Sequence, residues 1–231
     1  EAISEHVDWL IVAGGDGTVS GVVGELVGTE VVLGVIPFGT ANALAACLYG
    51  GALFKDPIDE ACRNIIEGET TRIDVARVNG RVMVQMAGIG FERRMVEDAA
   101  GEAKERWGAM GYLLSGYQAM KDAPSMRIRL TADGELHEFE SQSVVVANLA
   151  PYFSVMAQGG GMPKGTDGQL DVTWVKATED SHVSVHTMFD LLWSGLNDRE
   201  AGEGVGHLRA ASLRLEVDPP TEVSVDGDVD M

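Results

Sequence analysis

Two short stretches of this chain combine glycines, hydroxyls and a carboxylate at spacings that suit phosphate chemistry. The first is Gly14-Gly-Asp-Gly-Thr18 and the second is Pro37-Phe-Gly-Thr-Ala-Asn42. In a glycine turn that opens a helix, backbone N–H groups converge on an anion at the positive end of the helix dipole. Glycine also lets the backbone turn sharply and come close to a ligand. An Asp among the glycines repels phosphate unless a cation lies between them or the carboxylate handles a proton. Asp16 therefore points to Mg2+, held directly or through water, or to a place beside an attacking hydroxyl. The plainer alternative is that Asp16 caps a helix through its side chain. Thr40 could bond a phosphate oxygen, and Asn42 a phosphate or a water; taken alone, that second stretch also reads as a capped turn. Neither stretch has the Walker A spacing or the dinucleotide pattern Gly-x-Gly-x-x-Gly.

The elements around these turns set where they would sit. Val7-Asp-Trp-Leu-Ile-Val-Ala13 is an apolar run that reads as a buried strand, and Val19, Val22, Val23 and Leu26 recur at helical spacing after the first turn. Val31-Val-Leu-Gly-Val-Ile36 repeats the pattern before the second turn, with Leu44, Ala45 and Leu48 marking a short helix. Strand–helix alternation predicts a parallel sheet, and ligands bind outside the carboxyl ends of such strands. Both turns lie at that edge and should face one pocket. Asp56-Pro57 starts a further helix that Gly68 ends, with Ile58, Cys62, Ile65 and Ile66 as its buried face.

The pattern changes near Asp74. Arg72–Val78 and Arg81–Met86 flank Asn79-Gly80, and Met126–Thr131 and Glu135–Glu140 flank Asp133-Gly134, both hairpin signals. Ser143–Ala147, Gln169–Lys176, Leu208–Asp218 and Glu222–Asp226 also read as strands, with helices near Trp107–Lys121 and Ser181–Leu196. The expected fold class is α/β + β: a parallel α/β nucleotide-binding domain over 1–74, then an antiparallel β-sandwich over 75–231. The chain opens on Glu1 and reaches its first strand almost at once, so both ends are expected to be clipped.

The 231 residues are 45% apolar, enough for a sizeable core, and carry a net charge of −19. That charge argues against nucleic acid as a partner and against electrostatic adsorption to an anionic membrane. Cys47 and Cys62 fall on apolar helical faces, as expected in a reducing compartment. No apolar run is long enough to span a membrane and no signal peptide is visible. His182 and His186 stand at i, i+4, but with no third ligand in sight they read as solvated histidines.

Gly-Gly-Asp-Gly-Thr followed by Pro-x-Gly-Thr-x-Asn resembles the diacylglycerol kinase catalytic domain family, which includes bacterial lipid kinases, sphingosine kinases and ceramide kinases. The resemblance continues in order through Ile73-Asp74, Ala87-Gly-Ile-Gly-Phe91, Val145-Val-Ala-Asn148, Gly159-Gly-Gly-Met162, Asp167-Gly-Gln-Leu-Asp171 and Val225-Asp-Gly-Asp228. It implies a two-domain lipid kinase that moves the γ-phosphate of ATP to a lipid hydroxyl: diacylglycerol, a sphingoid base or ceramide. Gly14, Gly15, Asp16, Gly17, Thr18, Thr40 and Asn42 would hold the nucleotide, and Asp16 and Asp74 would belong to a network of Mg2+ and water. By the same resemblance, a structural Mg2+ would be held by Asp167 and by nearby backbone oxygens, at the positions of Lys164 and Gln169; without it, that stretch is an ordinary Pro/Gly turn. The family's Asp-Gly-Glu base maps onto Asp228, with Asp226 as the second choice; without it, this is an exposed turn. The resemblance further implies a cytoplasmic enzyme in peripheral, mostly apolar contact with a membrane, and a homodimer.

Departures accompany the match. The family's opening strand, with its Asn-Pro-x-Ser/Ala-Gly phosphate motif, is not found, so the first domain is expected to lack its first strand. Asp228 stands where the family has Glu, one methylene longer. Ala43 follows Asn42 where many diacylglycerol kinases carry an acid, a version closer to sphingosine kinases. Trp107, Met110, Tyr112, Leu113, Leu114, Tyr117 and Met120, and also Tyr152, Phe153 and Met156, could line an acyl cavity or face a membrane; such stripes are more often core. The competing functions are a small-molecule kinase, like NAD kinase or phosphofructokinase, and a non-catalytic relative that binds nucleotide or lipid. NAD kinases follow the first loop with Asn-Glu, a dipeptide absent here.

Overall fold

The computed structural model describes residues 7–49, 56–90, 124–151, 153–176, 187, 190–191, 193–195 and 197–229. The apolar runs at the start form β1 (Trp9–Gly14) and β2 (Val32–Pro37), paired in parallel from Trp9↔Val32 to Gly14↔Pro37. Helix α1 (Asp16–Leu26) connects them and buries Val19, Val23 and Leu26, the i, i+4, i+7 stripe expected from its spacing. Val19 and Val23 pack with Val12, Val35, Leu44, Ala45 and Val84 into one core cluster, so α2 (Ala43–Tyr49) is docked on the same strands.

Helix α3 (Pro57–Glu67) begins as its sequence requires. The Asp56 carboxylate accepts the N–H groups of Ile58 and Asp59 at 3.2 and 3.1 Å, and Pro57 occupies the first helical position. The Gly68 N–H closes the other end on the Asn64 carbonyl at 2.9 Å. Its buried face differs from the expected one. Ile66 is 80% exposed and Ile58 38%, while Ala61 is fully buried. Gly34 explains part of this: it leaves a shallow spot on β2 where a Cβ would come within 3.1 Å of Ile65, so the helix lies close and seats Ala61 and Ile65.

After residue 75 the strands become antiparallel. β3 (Ala76–Val78) and β4 (Arg81–Met83) form a small hairpin. The other strands form one hydrogen-bonded sheet: β5 (Met86–Gly90), β6 (Met126–Ala132), β7 (Glu135–Ala147), β8 (Leu170–Lys176), β9 (Val205–Ala210), β10 (Leu213–Asp218), β11 (Ser224–Val225) and β12 (Asp228–Val229). Three hairpins turn through two residues with positive φ: Asn79-Gly80 (48°, 89°), Asp133-Gly134 (47°, 92°) and Asp226-Gly227 (50°, 86°). Left-handed backbone at both positions matches the twist of the flanking strands.

β7 is the spine of this half. Its first part pairs with β6, and its second pairs with β5 on one edge and β8 on the other. The two strands expected at 135–140 and 143–147 are therefore one, joined across an irregularity between Ser141 and Ser143. Conversely, 208–218 is two strands rather than one. The Asp133 carboxylate accepts the Ala211 and Ser212 N–H groups at 3.1 and 2.8 Å, making a turn without glycine. The sheet curls so that both faces are covered: Val144 packs with Ile128, Leu130 and Val172, while Val145 and Ala147 pack with Met156, Leu191 and Val205 on the other side. Among the described residues no helix is long and apolar enough to cross a membrane.

Candidate active site

The two glycine turns leave the carboxyl ends of β1 and β2 side by side. The Phe38 N–H donates to the Gly14 carbonyl at 3.0 Å, so the second turn starts against the end of the first. Gly15 and Gly39 then touch backbone to backbone. A Cβ on Gly39 would lie 2.4 Å from the Gly15 Cα, which leaves no room for any other residue. Asp16 spans the gap: its Oδ1 accepts the Leu44 N–H at 3.1 Å in the first turn of α2. The helix-cap alternative for Asp16 is thus half realised, since it caps a helix, but the second helix and not its own. Gly15, the residue ahead of α1, makes no side-chain capping bond, and Gly17 and Thr18 are exposed. The Thr18 N–H closes on the Gly15 carbonyl at 3.0 Å, and the Asp16 and Gly17 amides ahead of it are left to face a ligand.

Asn42 has a different part from the one its type suggested. Its backbone is left-handed, with φ of 49°. Its Oδ1 accepts the Gly39 N–H at 2.7 Å and its Nδ2 donates to the Gly39 carbonyl at 2.8 Å. Both polar atoms of the side chain are engaged in shaping the turn, and Thr40, exposed beside them, is the side chain left to reach outward. Behind these loops lies Cys47. Burial first, then the negative charge of Asp16, push its thiol up to about 12.

A second assembly fastens the segment that joins the two halves. The Asp226 carboxylate is buried and accepts three consecutive N–H groups: Val84 on Oδ2 at 2.9 Å, and Gln85 and Met86 on Oδ1 at 2.9 and 3.1 Å. Its own N–H donates to the Met86 carbonyl at 2.9 Å. Burial pushes the carboxyl above the usual aspartate range, and the three amide donors pull against that. The Asn148 side chain fastens the same segment, donating to the carbonyls of Asp74 and Val84, both at 2.8 Å. Asp226 is therefore no exposed turn residue. Both of its oxygens are engaged by main-chain amides. Asp228 begins β12 directly across the turn.

The turn at 164–169 gathers Asp74, Lys164, Asp167 and Gln169. The Asp74 Oδ2 accepts the Gly168 N–H at 2.7 Å, and the Asp74 N–H donates to the Gly165 carbonyl at 2.7 Å. The Lys164 carbonyl accepts the Thr166 N–H at 2.8 Å, and Asp167 Oδ1 accepts the Gln169 N–H at 3.1 Å. The other Asp167 oxygen accepts from Arg209. Burial pushes the Asp167 carboxyl up, but the Arg209 hydrogen bond, the Gln169 amide and the charges of Arg209 and Lys164 outweigh it, leaving a net shift downward. Arg209 Nε also faces Asp171 at 3.5 Å, and Asp171 meets His207 Nε2 at 3.0 Å. Each oxygen of the Asp167 carboxylate therefore has a partner, an amide on one and a guanidinium on the other.

A cavity of about 700 Å3 opens between β2, α2, α3 and segment 68–75, with Leu26, Leu33, Leu48, Ile65 and Ile73 among its walls and Asp74 beside them. The phosphate-loop residues do not line it. The apolar residues Trp107, Met110, Tyr112, Leu113, Leu114, Tyr117 and Met120, with Tyr152, His182 and His186, lie outside the described residues. Met156 is core, buried with Val145 and Leu191. Sequence reasoning missed the Asp226 clamp and the Arg209 bridge. The type-I′ turn was legible, but not the burial of its first residue.

Residues 1–78 match the family model described as the diacylglycerol kinase catalytic domain, and residues 86–231 match that of the YegS C-terminal NAD kinase beta sandwich-like domain. An uncharacterised Synechocystis protein is 37% identical over 226 residues, which cover 97% of this chain and 51% of that one. A diacylglycerol kinase of Mycobacterium tuberculosis is 30% identical over 237 residues, 98% of this chain and 72% of its own. One from Bacillus subtilis is 28% identical over 233 residues, 99% and 73% respectively. The crystal structure of a candidate diacylglycerol kinase from Bacillus anthracis superimposes with a TM-score of 0.74 at 28% identity, covering 98% of this chain and 72% of that one. The chain thus spans about half the length of the cyanobacterial relative and somewhat under three quarters of the kinases.

Proposed function

We propose, on the premise that this chain belongs to the diacylglycerol kinase family, that it transfers the γ-phosphate of ATP to the hydroxyl of a membrane lipid. The observation that carries the reading is the Asp16–Leu44 bond, which locks two phosphate-type turns together at one sheet edge. The main-chain N–H groups of Gly15, Asp16 and Gly17 would receive the phosphates, with the Thr18 and Thr40 hydroxyls beside them. Gly14 and Asn42 give the two turns their shape. The residues here fit a nucleotide, since the first turn of α1 is uncapped and its glycines leave the backbone bare.

Mg2+ would arrive with the nucleotide, and its chemistry is to offset charge on the transferring phosphoryl group. Asp16 would hold it through the oxygen that does not accept the Leu44 amide. Asp228 would accept the proton of the lipid hydroxyl as that oxygen attacks phosphorus in line. Asp226 is assigned as a positioning residue: it fixes the turn that presents Asp228.

Diacylglycerol is the favoured acceptor, because the named relatives are diacylglycerol kinases; a sphingoid base or ceramide is the alternative that Ala43 suggests. Membrane contact would be peripheral and apolar, in keeping with the net charge of −19. The test is phosphorylation with labelled ATP of diacylglycerol, sphingosine, ceramide and phosphatidylglycerol, with NAD and fructose 6-phosphate as further acceptors. A phosphorylated lipid, lost in Asp16→Asn and reduced ~100- to 10,000-fold in Asp228→Asn, is the expected result. Wild-type turnover in Asp16→Asn, or transfer to NAD or the sugar alone, would overturn it.

A further inference from the structure

The donor set at 164–169 is organised around a cation that the chain itself supplies. Arg209 lies on β9 directly across from Asp171 in the sheet register. From there its guanidinium reaches two carboxylates, Asp167 through Nη2 and Asp171 through Nε. The second of these is buried and also holds His207. Lys164 adds positive charge at Asp167. The remaining carboxylate of the group, Asp74, accepts the Gly168 N–H. A planar guanidinium can bridge carboxylates with directed N–H bonds, which a point charge cannot.

We propose that Arg209 is the resident cation of this turn: its guanidinium neutralises Asp167 and Asp171, and the loop is held in place without a divalent ion. A metal seated on Asp167 would have to displace the guanidinium or lie against it, with Lys164 adding to the repulsion. The loop matters because Asp74, at the join between the two halves, hydrogen-bonds to it through both its N–H and its carboxylate. Arg209 thereby helps to align the halves. This proposal stands apart from the kinase reading, since it concerns a metal without nucleotide, and phosphoryl transfer could persist whichever way it is decided.

The experiment is thermal unfolding of nucleotide-free protein in EDTA and in millimolar Mg2+, comparing wild type, Asp167→Asn, Arg209→Gln and the double variant. The expected Mg2+ shift of wild type equals that of Asp167→Asn, because no ion uses Asp167. Arg209→Gln frees the carboxylates, and at a hundredfold excess over its dissociation constant Mg2+ should raise its midpoint by ~5–10 °C. The double variant should lose that gain. A wild-type shift larger than that of Asp167→Asn would overturn the proposal, as would an Arg209→Gln shift no larger than that of wild type. Should Arg209→Gln not fold, titration calorimetry of wild type and Asp167→Asn with Mg2+ alone decides: equal heats uphold the proposal, and a binding heat lost in Asp167→Asn refutes it.

Discussion

Replacing Asp226 by Ala separates a structural clamp from a catalytic base. The carboxylate accepts the N–H groups of Val84, Gln85 and Met86 in a site where it is only 7% exposed. Without it, three amides on a buried segment lose their acceptor, at about 1–3 kcal/mol each. Part of that is offset because a carboxylate no longer has to be taken out of water, a term of several kcal/mol. The net loss is expected to be about 3–5 kcal/mol, typical of breaking a buried charged group away from its partners. For a chain of this size that lowers the unfolding midpoint by ~6–20 °C. Asp226→Asn keeps one acceptor oxygen but turns an NH2 group toward an N–H donor, and should lose about 2 kcal/mol. Urea and thermal unfolding followed by circular dichroism measure both. A base would behave otherwise: Asp226→Asn would abolish turnover and leave the unfolding midpoint where it was. That result, or an Asp226→Ala protein within about 1 kcal/mol of wild type, would refute the clamp.

Other perturbations test the phosphate loops. Gly39→Ala places a methyl 2.4 Å from the Gly15 Cα, backbone on backbone, and should cost about 1–3 kcal/mol and abolish stabilisation of the protein by ATP in a thermal shift assay. Asp16→Ala removes the acceptor of the Leu44 amide and should lose about 0.5–2 kcal/mol, whereas Asp16→Asn retains an acceptor and should unfold close to wild type. Loss of activity in both, with loss of stability only in the first, would show that Asp16 has a chemical task besides its cap. With its thiol pushed from 9.0 up to about 12, Cys47 should react ever faster with a disulfide reagent as pH rises past 9, where an ordinary cysteine levels off. In a Cys62→Ser background, a plateau near pH 9 would contradict the burial that sets the shift.

What the sequence made legible was periodicity and turn chemistry, and those carried most of the architecture. The i, i+4 apolar spacing at Val19, Val23 and Leu26, the Asp56-Pro57 start and the Asn-Gly and Asp-Gly turns each specify backbone locally, and each is found. The misses share a physical character: they depend on contacts distant in sequence. Ile66 looked like core because it is apolar on a helix, but Gly34 let α3 lie close to β2 on a neighbouring stripe. The break at Ala211-Ser212 has no glycine because Asp133, far away in the chain, supplies the hydrogen bonds. Asp226 read as an exposed turn because its acceptor role is set by amides more than a hundred positions earlier.

The same distinction bears on which atoms do the chemistry. In the second phosphate turn, the residue whose side chain looked most ready for a ligand is Asn42, yet it closes on Gly39 with both polar atoms. Asp16 likewise gives one oxygen to Leu44. Side chains that each bind within the protein fix two main-chain segments, and in the proposed function the fixed main chain is then what would present donors to phosphate. Such a site gains little from flexibility, because the cost of ordering its loops is met during folding rather than on binding. The glycine contact between residues 15 and 39 serves the same end, since two bare backbones in van der Waals contact can neither rotate apart nor admit a side chain between them. The geometry makes the loops a single preformed surface, and among its side-chain groups one oxygen of Asp16 and the hydroxyls of the exposed Thr18 and Thr40 are open to meet what binds there.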